Sequence, residues 1–237
     1  MTKYAWCAIG LCFVWPAVAL AAEAAAPAGP TGPPPGFVAL FDGKTLNGWK
    51  VPEGDNGHWK VTDGIIDYDG KSEAKKDKNL WTVASFKDFV LRIDWRFPRE
   101  PVKMMERQVL PNGDYAEENV EVLDAGDSGI MLRGHGKAQL NIWCWSIGSG
   151  EVWGYRTDKS QPAEVRRGAT PLVNADKPPG QWNSFEVTMK GDRVTVKLND
   201  KLVIDNAQLP GIPEEGPIGL QHHGDPIQFR NVYIKRL

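Results

Sequence analysis

The chain has 237 residues, a length that fits one large domain or two small ones and that all-β sandwiches commonly reach as a single unit. Its formal net charge of −2 argues against a nucleic-acid partner, because neutralising phosphates requires a basic surface. Ten tryptophans are the unusual feature of the composition. Indole rings fill protein cores and also stack on the apolar faces of sugars, so they favour a stable core and a carbohydrate ligand alike.

The first 22 residues have the parts of a secretory signal peptide. Lys3 supplies a positive charge, residues 5–18 are apolar, and Ala19-Leu20-Ala21 is a small-x-small cleavage site. Retention as a membrane anchor is the alternative, but the apolar run is short and no basic cluster follows it. We therefore predict a periplasmic or secreted protein with no stable membrane anchor after cleavage. Cys144 would then be its single cysteine, which leaves no internal disulfide.

Residues 23–36 are rich in alanine, proline and glycine and include Pro33-Pro34-Pro35. This composition, without apolar periodicity, is typical of a semi-extended tether. The folded domain is predicted to begin at Phe37 and to continue as one unit to Leu237.

From Phe37 onward, short apolar segments alternate with turn residues, which predicts β-strands. The cleanest alternation is in residues 89–97, where every second residue is apolar and large. Residues 98–126 follow no sustained period, and we expect a long surface excursion in which residues 120–123 are a candidate strand. The other strands expected in this half are residues 37–41, 58–61, 65–68 and 80–83.

The second half continues the pattern, and the strand predicted at residues 138–145 is its most informative segment. Gln139, Asn141, Trp143 and Trp145 would share one face of a strand, which gives the polar and aromatic surface that a carbohydrate cleft needs. Residues 156–181 are expected to form a loop. The remaining strands are predicted at residues 128–133, 182–190, 193–198, 201–205, 218–221 and 227–234.

The last two predicted strands flank His222-His223-Gly224-Asp225-Pro226, and we expect them to form a hairpin that closes the sheet. No segment has a convincing helical period. Many short strands with glycine and proline between them are typical of an all-β fold, a jelly-roll sandwich of two antiparallel sheets.

Several segments, taken in order from Phe37 to Leu237, resemble the 3-keto-disaccharide hydrolase family. They are GFVALFDGKTLNGW, HWKVTDGII, FVLRIDWRF, SGIMLR, WNSFEVTMKGDRVTVKLNDKLV and GPIGLQHHGDPIQFRNVYIKRL. The resemblance implies a concanavalin A-like jelly roll with its ligand on the concave sheet, and a hydrolase or lyase activity on glycosides already oxidised at C3. It also implies that a separate sugar 3-dehydrogenase supplies the substrate, since no dinucleotide-binding glycine fingerprint follows a strand here.

A ketone at C3 acidifies the proton on C2, so the bond at C1 can break by elimination and the product can then be hydrated. This route needs a base near C2, a donor for the enolate oxygen and an acid for the leaving oxygen. His223 or His222 would be the base, because imidazole titrates near neutral pH, and Arg133 would hold the enolate oxygen. Asp127 and Asp225 are the candidate carboxylates, although Asp225 before Pro226 is more readily explained by a structural role.

Each of these residues also has an ordinary structural alternative. A histidine at a corner can bond the backbone, an arginine at a strand end can form a salt bridge, and an aspartate before Ser-Gly can simply form a turn. The residues predicted to bind substrate are Gln139, Asn141, Trp143, Trp81, Trp153 and Gln221.

The chain departs from the resemblance in two places, a longer segment at residues 98–126 and a changed pair of residues on one strand. Family members carry a Glu-x-Gln pair after the SGI-x-L-R segment, and the matching positions here are Gln139 and Asn141. The missing carboxylate keeps a second hypothesis open, a non-catalytic carbohydrate-binding domain on the same fold. The cofactor stays unknown, because residues 222–225 could hold a divalent cation but no ligand spacing supports a metal site.

Overall fold

The computed structural model describes residues 32–237. The predicted signal peptide and most of the predicted tether lie outside the described residues. The strands are β1 (Val38–Ala39), β2 (Trp49–Lys50), β3 (Trp59–Thr62), β4 (Ile65–Tyr68), β5 (Leu80–Phe86), β6 (Phe89–Arg96), β7 (Val102–Val109), β8 (Tyr115–Asp124), β9 (Ser128–Met131), β10 (Gln139–Ile142), β11 (Asn183–Lys190), β12 (Arg193–Leu198), β13 (Lys201–Gln208), β14 (Gly216–Leu220) and β15 (Ile227–Arg236). The helices are α1 (Trp153–Arg156) and α2 (Ala163–Gly168).

Two antiparallel sheets pack face to face, which confirms the predicted all-β jelly-roll sandwich. The larger sheet has eight strands in the order β13-β12-β11-β6-β15-β4-β3, with β1 paired to β15. The smaller sheet has five strands in the order β10-β9-β14-β5-β2. None of the helices among residues 32–237 is long and apolar enough to cross a membrane.

The core lies between the sheets, and β6 shows why its sequence forms a strand there. Phe89, Leu91, Ile93 and Trp95 are buried while the residues between them are half-buried, as the period-two alternation predicts. Burying a side chain of this size contributes about 1.5 to 3 kcal/mol relative to leaving it exposed. The alternation therefore buries one face of β6 in the core.

Turn residues fix the register of the hairpins. Asp63 and Gly64 between β3 and β4 have φ of 50° and 78°, and Asn199 and Asp200 between β12 and β13 have φ of 51° and 65°. Asp, Asn and Gly tolerate this left-handed region better than other residues, and two-residue turns of this type match the twist of paired strands. The predicted meander of β11, β12 and β13 is confirmed.

The carboxyl-terminal corner was predicted as a hairpin, and that prediction was wrong. β14 pairs with β5 and β9 in the smaller sheet, whereas β15 lies between β6 and β4 in the larger sheet. The five-residue corner therefore carries the chain from the middle of one sheet to the middle of the other. It ties the sandwich together at its rim instead of closing one sheet.

Residues 98–126 are not an irregular excursion. They contain β7 and β8, which pair as a separate two-stranded antiparallel hairpin. Most side chains on both faces of β7 are exposed, so the sequence lacks the alternation that burial of one face imposes. Helices α1 and α2 were missed for a similar reason, since four and six residues are too few to establish a helical period.

Candidate functional site

The outer face of the smaller sheet, turned away from the core, brings together most of the predicted substrate-binding residues. Residues directly opposite each other in antiparallel strands point to the same side. Gln139 is paired with Met131, which is paired with Gly219, which in turn is paired with Trp81. This row crosses β10, β9, β14 and β5. Gln139 and Trp81 therefore lie on one face.

The next row of the same face lies towards the end of the sheet. Asn141 is paired with Gly129, and Leu140 between Asn141 and Gln139 is buried in the core. Gln221 follows Gly219 by two residues, and its side chain contacts Gln139. Asp127 precedes Gly129 by two residues and lies immediately before the start of β9 at Ser128.

Two glycines make room for the larger side chains on this face. A Cβ atom on Gly219 would lie 2.5 Å from the Trp81 ring, and one on Gly129 would lie 2.7 Å from Cγ of Gln139. Both distances are far inside van der Waals contact. The absence of side chains at these positions lets Trp81 and Gln139 lie flat across the neighbouring strands.

Three amide side chains form a hydrogen-bonded group, called here the amide cluster (Gln139, Asn141 and Gln221). Nε2 of Gln139 donates to Oε1 of Gln221 at 3.0 Å, and Nε2 of Gln221 donates to Oε1 of Gln139 at 3.1 Å. Nε2 of Gln139 also donates to Oδ1 of Asn141 at 2.8 Å. These bonds fix the orientation of each amide and leave further N–H groups and lone pairs for the hydroxyls of a ligand.

Asp127 is the carboxyl group whose surroundings favour chemistry. Burial, reinforced by the negative charges of Asp225, Asp124 and Glu106, raises its pKa to about 7. Its Oδ1 atom is buried without a hydrogen-bond partner among residues 32–237, while its backbone N–H donates to Oδ2 of Asp225 at 3.0 Å. Asp127 can therefore exchange a proton near neutral pH.

Arg99 holds the two neighbouring carboxylates in place. Its guanidinium contacts Asp124 at 2.8 Å and Asp225 at 2.9 Å. One cation thus serves two carboxylates, and neither of its contacts reaches Asp127. Of the three carboxyl groups, Asp127 is therefore the one without a contact to the Arg99 cation. This is one reason why its pKa is raised and not lowered.

His222 is engaged by a tyrosine. Nδ1 of His222 is hydrogen-bonded to the hydroxyl of Tyr68, and the backbone N–H of His222 donates to Oδ1 of Asn79 at 2.8 Å. The Tyr68 hydroxyl also accepts the N–H of Ser72 at 3.3 Å, and the Tyr68 ring stacks on Trp59 with centroids 3.9 Å apart. We assign the hydroxyl proton of Tyr68 to the bond with Nδ1, which places the ring proton of His222 on Nε2.

Burial decides the charge of this pair. It lowers the pKa of His222 and raises the pKa of Tyr68 to about 12, so both groups are neutral at physiological pH. His222 therefore presents a hydrogen-bond donor at Nε2. The base role predicted for His222 would require the other tautomer, with a free lone pair on Nε2.

The chain matches the model of one protein family over residues 36–235, described as a 3-keto-α-glucoside-1,2-lyase-like domain. It belongs to that family. A relative from Bacteroides thetaiotaomicron, a 3-keto-disaccharide hydrolase, is 22% identical, with 85% of this chain and 79% of the relative covered. The family assignment made from the sequence motifs is thereby confirmed.

Two solved structures from Parabacteroides distasonis, assigned as glycosyl hydrolases, share the fold of this family member. One superposes with a TM-score of 0.57 at 24% identity and covers 86% of this chain and 84% of its own. The other has a TM-score of 0.56 at 23% identity, with coverage of 85% and 94%. The lyase-like domain thus accounts for nearly all of the described residues.

In this member of the lyase-like family, Arg133 does not join the amide cluster. Its guanidinium donates to the backbone carbonyls of Lys87, Gly191 and Pro213 and pairs with Asp88 at 3.0 Å, and its side chain is 1% exposed. These contacts join three loops at the other end of the sheet from Asp127. The expectation that Arg133 holds an enolate oxygen is therefore replaced by a structural role.

The remaining predicted residues are distributed around the site. His223 is exposed beside His222, and Trp153 lies on α1 with 44% of its surface exposed. Trp143 is buried just past the end of β10, where its Nε1–H donates to the carbonyl of Gly148 at 2.8 Å. None of these three is among the hydrogen-bonded partners of the amide cluster within residues 32–237.

Glu151 was missed by the sequence reasoning and lies next to the amide cluster. It follows Gly150 on a segment that runs beside β10, and its Oε1 accepts the Asn141 side-chain N–H at 3.4 Å. Burial raises its pKa above the usual range, and its ion pair with Arg156 limits the rise. Glu151 thus brings a carboxyl group from a neighbouring segment to the strand that lacks one at Gln139.

Glu151 was hard to find because a lone glutamate between Gly150 and Val152 has no distinctive pattern. Tyr68 was missed because it alternates with Ile66 on β4 and has the pattern of a core residue. Among residues 32–237, no group of three or more His, Cys, Asp or Glu side chains is arranged to hold a metal ion.

Proposed function

We propose that this chain cleaves glycosides oxidised at C3, by removing the C2 proton, eliminating the substituent at C1 and hydrating the product. The observation that carries the proposal is Asp127, a carboxyl with a pKa raised to about 7 that lies two residues before Gly129, the strand partner of Asn141, in a 3-keto-α-glucoside-1,2-lyase-like domain. A base whose pKa lies near the working pH combines a large ionised fraction with adequate basicity.

In the proposed reaction, the Asp127 carboxylate takes the proton from C2, and the electron pair of that C–H bond forms the C2–C3 enolate. Nε2–H of His222 donates to the enolate oxygen, and Tyr68 keeps that proton on Nε2. The enolate then collapses, C1=C2 forms, and the C1–O bond breaks. Asp127, now protonated, returns its proton to the leaving oxygen, and water adds across C1=C2 to give the free 3-keto sugar.

The amide cluster supplies orientation. Amide N–H and C=O groups pair with sugar hydroxyls as donors and acceptors, and Trp81 offers an apolar face for ring stacking. Glu151 is fully buried and paired with Arg156, so it acts on the sugar through Asn141 and not by direct contact.

Hydrogen exchange at C2 tests the reaction. A 3-keto-glucoside is incubated with the enzyme in D₂O, and the released 3-keto sugar is examined by NMR; the proposal predicts deuterium at C2. Release of a product that keeps its C2 proton would show direct displacement and overturn the mechanism. Tight binding of the 3-keto-glucoside without any cleavage would instead favour the non-catalytic carbohydrate-binding domain.

An Asp127→Asn variant should lose the activity by about 10²- to 10⁴-fold in kcat/KM. Asp205→Asn is the matched control, because Asp205 is exposed on β13, an edge strand of the larger sheet, whereas the site strands belong to the smaller sheet. Equal activity of the Asp127→Asn variant and the wild-type protein would exclude Asp127 as the base.

We also propose that the protein is exported and receives its oxidised substrate from a separate sugar 3-dehydrogenase. The support is the composition of residues 1–22 and the absence of a dinucleotide fingerprint in the sequence. Amino-terminal sequencing of the protein recovered from the periplasm or the medium should give a mature start near Glu23. A full-length protein found in the cytoplasm would contradict the export proposal.

A further inference from the structure

A recess rich in cations lies between the tip of the β7–β8 hairpin and the segment that carries α1 and α2. It has a volume of about 600 Å³ and is called here the basic recess, after its charged lining residues Arg107, Asp114, Arg156, Lys159 and Arg166. Cavities that bind small ligands are roughly 300 to 1,000 Å³, so the recess is large enough for one. Four of the five charged side chains are cations, in a chain whose formal net charge is −2.

The basic recess is distinct from the group of residues assigned to the proposed reaction. Its lining includes neither Asp127 nor any member of the amide cluster. The link between the two is Arg156, which lines the recess and pairs with Glu151, the neighbour of Asn141. Since Arg156 is fully buried, a ligand in the recess would be held by the more accessible cations.

The cations of the recess are only partly neutralised within the fold. Arg156 pairs with Glu151, and Arg166 pairs with Asp114. Arg107 and Lys159 are exposed and form no ion pair among residues 32–237. The two pairs cancel, so two uncompensated positive charges remain beside the recess. A ligand with two negative charges would complement them.

Arg166 is fixed in place with part of its fork unused. Its Nε donates to the carbonyl of Arg156 at 3.0 Å and its Nη2 donates to Oδ1 of Asp114, while Nη1 has no partner among residues 32–237. The other oxygen of Asp114 accepts from Asn112 at 3.1 Å. The hydrogen bond from Arg166, together with the charges of Arg166 and Lys159, lowers the pKa of Asp114. Asp114 is therefore committed to these partners, and its charge leaves Nη1 of Arg166 free to donate.

The opposite wall is held by aromatic and backbone packing. The Tyr115 ring lies beneath two guanidinium groups, at 5.4 Å from that of Arg107 and 4.9 Å from that of Arg156. Gly113 at the hairpin tip has φ of 86°, and a Cβ atom there would lie 3.0 Å from Oγ1 of Thr170. The hairpin tip is thus seated closely beside the end of α2. A recess assembled before its ligand arrives loses less free energy to ordering on binding.

We propose that the basic recess is a binding site for a phosphate group, carried either by free phosphate or by a phosphate monoester. A phosphate monoester carries a charge of about −1.5 to −2 at pH 7 and has three strong acceptor oxygens. These match the two uncompensated cations, Arg107 and Lys159, and the free Nη1 of Arg166. Guanidinium forks fit phosphate geometry, and a lysine adds a mobile point charge. The proposal does not depend on the reaction at Asp127.

The proposal is tested by titrating inorganic phosphate and phenyl phosphate into the full chain at low ionic strength, followed by calorimetry and phosphorus NMR. Binding should weaken with added salt, and as the pH falls through about 6, where phosphate takes up its second proton. Arg107→Gln and Lys159→Gln should each weaken it about fivefold, as expected for exposed cations. Tighter binding of phenyl phosphate would identify a monoester as the ligand, and equal affinities would identify free phosphate.

A matched control separates a specific site from general attraction to positive charge. Lys103→Gln removes the same unit charge from β7, the strand of Arg107, but Lys103 pairs with Glu121 and does not line the recess. Lys103→Gln and Asp127→Asn should leave the affinity for phosphate within about twofold of the wild-type value. The proposal is overturned if neither phosphate compound binds, or if Lys103→Gln weakens binding as much as Arg107→Gln and Lys159→Gln do.

Discussion

Glu151 and Arg156 form an ion pair in which both side chains are withdrawn completely from solvent. Arg156 also donates to the hydroxyl of Tyr115 at 3.1 Å and to the carbonyl of Gly113 at 3.3 Å. The pair therefore joins three parts of the molecule, the segment beside β10, helix α1 and the tip of the β7–β8 hairpin. It fixes Glu151 beside Asn141, where it orients the amide cluster.

Removing one member of this pair should be strongly destabilising. Arg156→Met leaves the Glu151 carboxylate buried without its cation, and we expect the free energy of unfolding to fall by roughly 3 to 5 kcal/mol. The Glu151→Gln/Arg156→Met double variant removes both charges and should recover a large part of that loss. Urea denaturation measures both values. A loss below about 1 kcal/mol in Arg156→Met would show that the pair is not a structural anchor.

Asp127 should make stability fall as the pH rises. Its pKa is raised from the ordinary value of 3.8 to about 7, so the folded chain keeps a proton that the unfolded chain loses between those values. The stabilising proton is fully bound below the unfolded pKa and is lost as the pH rises to about 7. Asp127→Asn should therefore be more stable than the wild-type protein at pH 8, by on the order of a few kcal/mol, and similar to it at pH 4.

Thermal unfolding across this pH range checks the expected difference, with Asp205→Asn as the control that should follow the wild-type curve. The activity should change in the opposite direction, because the ionised carboxylate is the proposed base. In the wild-type enzyme, kcat/KM should rise with pH through about 7. A flat pH–rate profile together with an unchanged stability profile in Asp127→Asn would contradict the raised pKa.

Tyr68→Phe should alter the histidine without unfolding the protein. The change removes the hydroxyl, which binds Nδ1 of His222 and also accepts the Ser72 N–H. It keeps the ring that stacks on Trp59. We expect a stability loss of about 1 kcal/mol and a mixed tautomer of His222. Nitrogen chemical shifts of the imidazole should report the Nε2–H form in the wild-type protein and a mixture in the variant.

A matched pair of glycine variants tests the close packing of the outer face. Gly129→Ala places a Cβ atom 2.7 Å from Cγ of Gln139, whereas a Cβ on Gly136 has no other atom within 4 Å. Gly129→Ala should cost about 1 to 3 kcal/mol and weaken substrate binding, because Gln139 must move away from Gln221. Gly136→Ala should leave stability nearly unchanged or slightly higher. Similar affinities of the two variants for a 3-keto-glucoside would show that the Gln139 orientation is not required.

Arg133→Met separates a structural role from a catalytic one. The variant removes the cation from the carbonyls of Lys87, Gly191 and Pro213, and we expect a loss of on the order of 3 kcal/mol in unfolding free energy. The folded fraction should keep a kcat within about twofold of the wild-type value, since Arg133 lies away from Asp127. A hundredfold fall in activity per folded molecule would instead show that Arg133 takes part in catalysis.

Much of the geometry of the candidate site could be predicted because its residues lie on regular strands. Gln139 and Asn141 are two residues apart on β10, and period-two alternation alone places their side chains on one face. The corner that contains His222 was recognisable from its turn residues. Its connection was not, because adjacent strands in a chain can pair with each other or cross to another sheet, and local sequence is similar in both cases.

The sequence alone determined the strand content, the sandwich class and the family, since these depend on alternation, turn residues and motifs that are local along the chain. Only the tertiary structure decided the chemistry of individual groups. Arg133 binds backbone carbonyls and Asp88, and the Tyr68 hydroxyl bonds Nδ1 of His222. Burial raises the pKa of Asp127 to about 7, and Glu151 is a buried neighbour of Asn141. Each of these properties depends on burial and on partners far away in the chain, and such partners come together only when the two sheets and the β7–β8 hairpin pack.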